Sequence, residues 1–124
     1  MSDDEILERA RAIRRQVLGD EYVDSQVDEP RPALRDFQDH LTRQAWGAWA
    51  REGPLSLRDR SLLVLAMTAA LGRTEEFTLH AAAAHRAGVT DDELDELLFQ
   101  IAGPPAALSA KRALQQVRAA RDET

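Results

Sequence analysis

The chain contains no cysteine. That one absence removes disulfides, thiol nucleophiles, Cys-x-x-Cys redox chemistry and cysteine-ligated zinc or iron–sulfur sites together. Aromatic residues make up only 5% of the sequence, and no run of β-branched and aromatic residues signals a strand. No apolar stretch approaches the roughly 20 residues that a membrane-spanning helix needs. A basic excess is missing as well. Sixteen Lys+Arg stand against 22 Asp+Glu, a net charge of −6, which argues against a general nucleic-acid binder and against a polybasic membrane-surface helix. GxGxxG, phosphate-loop, HExxH and GxSxG sequences are all absent. Met1-Ser2-Asp3-Asp4-Glu5 is acidic where a signal peptide is basic and then apolar. The expectation is a soluble, cytoplasmic protein with neither a nucleic-acid nor a membrane partner.

What is present is helical. Ala, Leu, Arg and Glu dominate, all of them good helix formers. A chain of 124 residues is one domain's length, so residues 1–124 are read as a single all-α bundle of about six helices. Ser2 with Glu5 opens the first helix, which Gly19 closes. Residues 19–32 are polar, carry Pro30 and Pro32, and read as a long loop of the kind that often contacts a partner. A second helix fits from Pro32 to Trp49, with Leu34, Phe37, Leu41, Ala45 and Trp49 sharing a face. Ser56-Leu57-Arg58-Asp59 starts a third, whose almost wholly apolar stretch from Leu62 to Leu71 reads as a central buried helix. Thr74 is expected to cap a fourth helix running to about Ala87 and closed by Gly88. Thr90 with Glu93 forms a capping box for a fifth, and a sixth runs from about Ala106 to Arg121 beyond Gly103-Pro104-Pro105.

Without cysteine, chemistry falls to the histidines, carboxylates and arginines. Glu76 and His80 lie four residues apart on one helix and therefore share a face. A carboxylate beside an imidazole raises its pKa and orients the ring, which suits a general acid/base pair. The same spacing also suits an ordinary helix-stabilising pair. Arg60 stands where the polar start of the third helix meets its apolar body. A guanidinium there either grips a carboxylate in fork geometry or snorkels to water. Arg58, in the N-terminal turn of that helix, reads as solvated. His85 is turned away from His80, and His40 lies in a charged stretch. No metal site is expected, because three converging ligands are not available from one helix.

Taken in order, Val17-Leu18-Gly19-Asp20, Trp46-Gly47, Arg60-Ser61-Leu62-Leu63 with Leu65-Ala66-Met67, Glu76 with Leu79-His80, Gly88-Val89-Thr90 and Pro105-Ala106-Ala107 resemble the γ-carboxymuconolactone decarboxylase family over most of the chain. The resemblance implies an alkylhydroperoxidase-D-like helical fold and a homo-oligomer, a hexamer or trimer. It also implies decarboxylation of 4-carboxymuconolactone to 3-oxoadipate enol-lactone in protocatechuate catabolism, with a small carboxylated lactone as partner and neither metal nor organic cofactor. The superfamily's peroxidase branch needs a Cys-x-x-Cys that this chain lacks. On this reading His80, Glu76 and Arg60 are catalytic, and Trp46, Leu63, Met67 and Pro105 bind substrate. The chain departs from the family in a shortened segment before Gly103-Pro104-Pro105, close to the expected pocket, which bears on the exact substrate. A same-fold enzyme for another lactone or keto acid, or a non-catalytic helical oligomer, are the alternatives.

Overall fold

The computed structural model describes residues 1–26, 29–102 and 106–123. Helices are the only regular structure among them, and they gather into two compact units, residues 1–54 and 55–124.

The first unit contains α1 (Asp3–Leu18), α2 (Asp20–Ser25) and α3 (Pro32–Ala50). Three acidic residues open α1, where the partial positive charge of the helix end favours them, and the Glu5 N–H donates to Ser2 Oγ at 3.2 Å. The apolar stripe of α1 packs on α3, burying Leu7, Ala10, Val17 and Leu18 on one side and Thr42 and Trp49 on the other. Arg11 reaches across to Asp39 at 2.9 Å. Gly19 adopts φ 89°, a left-handed turn that glycine makes without steric cost, and α2 begins directly after it. This helix corrects the reading of 19–32 as wholly loop. Its sequence, DEYVDS, has no apolar periodicity to announce it. It is tied instead to the preceding helix by Arg15, which bonds Asp20 at 3.2 Å and Asp24 at 2.8 Å.

The second unit contains α4 (Leu57–Ala70), α5 (Thr74–Ala83), a 3-10 turn (Ala84–Ala87), α6 (Asp91–Gln100) and α7 (Ala106–Asp122). The α5 helix packs against both α4 and α7 around a core of Leu65, Phe77, Ala81, Val89, Leu94 and Leu114. Both expected capping boxes form. Asp59 N–H donates to Ser56 Oγ at 3.1 Å and Ser56 N–H to Asp59 Oδ2 at 3.2 Å. At α6 the Thr90 and Glu93 equivalents are 3.1 and 3.0 Å. Thr90→Ala removes the side-chain acceptor and is expected to destabilise the protein by about 1 kcal/mol in urea unfolding. A cost below the error of the measurement would show that the cap is not used in solution.

Two expectations for this unit are corrected. The α5 helix begins at Thr74 itself, with Arg73 before it making no side-chain cap bond, and it tightens into the 3-10 turn at Ala84. Gly88 then ends the segment at φ 93°. The second correction concerns α4, which is not buried all round. Ser61, Leu65 and Ala69 are buried at four-residue spacing, while Leu63, Met67 and Leu71 are 50%, 55% and 76% exposed. The unit's own helices cover one face of α4, and the other is an apolar stripe open to solvent.

Candidate active site

The Glu76 and His80 side chains stand one turn apart on α5. His80 is half-buried. Burial pushes its pKa below the ordinary value of 6.5, and the Glu76 charge pulls in the opposite direction without cancelling that effect. The imidazole is therefore neutral at pH 7, with one ring nitrogen a donor and the other an acceptor. The upward pull of the carboxylate expected from spacing is present, and desolvation outweighs it.

Glu76 is gripped from its other side. Arg73 donates through Nη2 to Glu76 Oε1 at 2.8 Å, and its Nε lies 3.5 Å from Oε2. This fork is the main reason that the Glu76 carboxyl is held below the usual range, and a backbone hydrogen bond adds to it. Arg73 was not singled out from the sequence. The available signal was its three-residue spacing from Glu76 across the start of α5.

Arg60 is the fourth residue of α4, half-buried, its backbone N–H donating to Ser56 O at 3.0 Å. At 3.6 residues per turn, positions 60, 63, 67 and 71 fall on one face. Arg60 thus stands at the N-terminal end of the same open stripe that carries Leu63 and Met67, and α4 packs on the helix that carries Glu76 and His80. Arg58 keeps 43% of its side chain exposed and also pairs with Asp59 at 3.5 Å and with Glu93, joining the start of α4 to the start of α6. Trp46 is in the first unit, half-buried, its ring 5.3 Å from that of Trp49. Pro105 lies outside the described residues. His40 and His85 are exposed, on α3 and the 3-10 turn respectively. Among the described residues no three His, Asp or Glu side chains are placed to hold a metal ion, and no helix is long and apolar enough to cross a membrane.

A polar pair on one helix, with an arginine heading an apolar stripe on its packed neighbour, is a constellation that many folds could carry. The comparison with known proteins decides among them. Residues 35–119 match the model of the carboxymuconolactone decarboxylase family. The chain belongs to that family. It is 36% identical over 121 residues to 4-carboxymuconolactone decarboxylase of Acinetobacter baylyi, covering 94% of this chain and 90% of the relative. It is also 35% identical over 102 residues to a nitrosuccinic acid decarboxylase of Metarhizium robertsii, covering 79% of this chain and 71% of the relative. No solved structure matches the chain significantly. The family match takes in Trp46, Arg60, Leu63, Met67, Glu76, His80 and Pro105, and it runs through the boundary between the two units. The α1 and α2 helices precede it.

Proposed function

We propose that this carboxymuconolactone decarboxylase family member removes CO₂ from 4-carboxymuconolactone, giving 3-oxoadipate enol-lactone, with residues 1–124 acting as one catalytic domain in the cytoplasm. The observation that carries this reading is the 36% identity to a decarboxylase of that name over nearly the full length of both chains. The Glu76/His80 pair and Arg60 supply groups that fit the chemistry.

In the substrate, a carboxylate sits on a ring carbon joined through a double bond to the lactone carbonyl. The bond between the ring carbon and the carboxyl group breaks, CO₂ leaves, and the electron pair moves through the ring onto the carbonyl oxygen. The resulting dienolate takes a proton at the carbon α to the carbonyl. Neither step requires a metal or an organic cofactor if a donor faces the developing oxyanion. His80, neutral at pH 7, donates one N–H to that oxygen, and solvent supplies the proton to carbon. Glu76 orients the ring. Arg60 grips the carboxylate that is retained in the product. The departing carboxylate is best placed against an apolar wall, since removing water favours neutral CO₂ over the anion. Leu63 and Met67, on the face headed by Arg60, furnish that wall.

The exposed stripe of Leu63, Met67 and Leu71 supports a homo-oligomer in which a second copy covers it and completes the wall. Met67→Asp places a charge in the stripe. In analytical ultracentrifugation this variant is expected to sediment as a smaller species than the wild type, with unchanged helical circular dichroism. An unchanged sedimentation coefficient overturns this use of the stripe.

A second reading is motivated by the nitrosuccinic acid decarboxylase relative, which shows that a protein about as similar as the first acts on a different acid. Both readings are tested by offering the purified protein 4-carboxymuconolactone and nitrosuccinate side by side and measuring CO₂ release. Rapid turnover of the lactone alone is the expected outcome. Turnover of nitrosuccinate alone replaces the substrate and keeps the lyase, and turnover of neither overturns both.

A further inference from the structure

The first unit contains a groove of about 520 Å³ between the start of α1 and the end of α3. That volume suits a small organic molecule. Its floor is apolar: Ile6 comes from α1, and Gly47, Ala48 and Ala50 come from the last turn of α3. The floor stays low because α3 places no long side chain there. At Gly47 the two helices come close, and a Cβ built on that glycine would lie 3.5 Å from Ile6 Cγ2.

The rim of the groove is cationic. Arg9, Arg43 and Arg51 line it, and Glu52 is the single carboxylate residue among its described lining residues. Arg43 stands one turn before Gly47, and Arg51, the C-cap residue of α3, one turn after it. The side chains of Arg43 and Arg51 have no ion-pair or hydrogen-bond partner among the described residues. Arg9 approaches Glu52 only to 3.8 Å, and the Glu52 side chain is 89% exposed, so this pair ties up little of the positive charge. Asp3, Asp4 and Glu5, which open α1, do not line the groove. By contrast Arg11, Arg15 and Arg31 of the same unit are each held by a carboxylate, at 2.9, 2.8 and 3.1 Å.

We propose that this groove is a binding site for a small amphipathic carboxylate, whose hydrocarbon part lies on Ile6, Gly47 and Ala48 and whose anionic end meets Arg43 and Arg51. A neutral guest of the same shape gains the apolar contact alone. A carboxylate adds charge-assisted hydrogen bonds to guanidiniums that no acid of the protein occupies. A compact anion without a hydrocarbon part gains the charge and leaves the floor wet. None of these residues belongs to the proposed decarboxylation machinery, so the groove stands or falls independently of that reaction.

Hexanoate, its neutral counterpart hexanamide and the short anion acetate are the probes, titrated into the full chain at low ionic strength, where exposed charges are least screened. Amide chemical shifts follow the binding. Hexanoate is expected to give saturable shifts at Ile6, Arg43 and Gly47, and both other probes markedly weaker ones. Arg43→Gln strands no acid, and it is expected to weaken hexanoate about five-fold, the upper scale of an exposed ion pair. Arg14→Gln removes the same charge from α1 outside the groove and should leave hexanoate binding unchanged. Ala48 is exposed on α3, and Ala48→Glu supplies the groove with a carboxylate of its own. It is expected to abolish the hexanoate shifts in a folded spectrum, so the test does not depend on whether Arg43→Gln folds. Absence of saturation at tens of millimolar hexanoate, an equal response to hexanamide or acetate, equal weakening by Arg14→Gln, or wild-type binding by Ala48→Glu each overturns the proposal.

Discussion

Replacing His80 by alanine is expected to lower kcat for decarboxylation by roughly a hundred- to ten-thousand-fold, the range over which positioned proton-handling and donor groups contribute. The variant should remain folded. His80 lies within the last turns of α5, alanine is the best helix former, and the half-buried ring leaves no large core void. A loss of activity with unchanged circular dichroism therefore reports on chemistry. His80→Gln keeps an N–H donor without a titrating ring, and it is expected to recover part of the rate if donation to the oxyanion is what matters. Activity of His80→Ala within a few-fold of wild type would remove the histidine from the mechanism.

The electrostatics give the pH dependence a sign. Burial lowers the folded-state pKa of His80 below its ordinary value of 6.5, so protonation is favoured more in the unfolded chain than in the folded one. The stability contribution of the neutral ring is complete above the unfolded value and is lost as pH falls through the lowered folded value. Activity that needs the neutral ring follows the same direction: kcat/KM is expected to hold at neutral pH and fall on the acid side, with a midpoint below 6.5. An NMR titration of the His80 ring reads this directly. A midpoint above the ordinary value would mean that Glu76 outweighs desolvation and that the ring works as a cation. Glu76 does not confuse the profile, because Arg73 keeps its carboxylate ionised to lower pH than usual.

Much of this arrangement is legible in the sequence, for a physical reason. Helix ends are chosen by residues close in sequence, so Ser56 with Asp59, Thr90 with Glu93 and the glycine at 88 announce their turns locally. The shared face of Glu76 and His80 likewise follows from the pitch of a helix. Spacing does not say which neighbour covers a face. An apolar run around all of α4 reads as buried, yet the unit supplies partners for only one side. Spacing is equally silent on whether desolvation or a nearby charge sets the state of His80, since burial is a property of the whole packing. The α2 helix was missed because its sequence has no periodic apolar face, and its ion pairs run back to Arg15. Arg73 is not announced by the sequence, because the spacing of a carboxylate–histidine pair leaves open what else the carboxylate binds.

Phe77→Ala is expected to destabilise the protein by about 3–5 kcal/mol. Phe77 is 1% exposed and is the largest fully buried side chain of the second unit. Many of its core companions are alanines, at positions 69, 81, 84, 110 and 113. An alanine has no rotamer with which to fill a neighbour's void, so the cavity left by the ring has little means of closing. Domains of this kind have only about 5–15 kcal/mol of total stability, and a loss on this scale should be visible as a large drop in the urea midpoint. Phe77→Leu retains most of the apolar volume and should cost markedly less. The comparison also bears on function. Phe77 directly follows Glu76 and anchors the helix that carries His80. Below its own unfolding transition, Phe77→Ala should therefore lose activity more than Phe77→Leu, through looser positioning of α5. A cost under about 1 kcal/mol would mean that the alanine-rich core closes around the missing ring, against the cavity behaviour argued here.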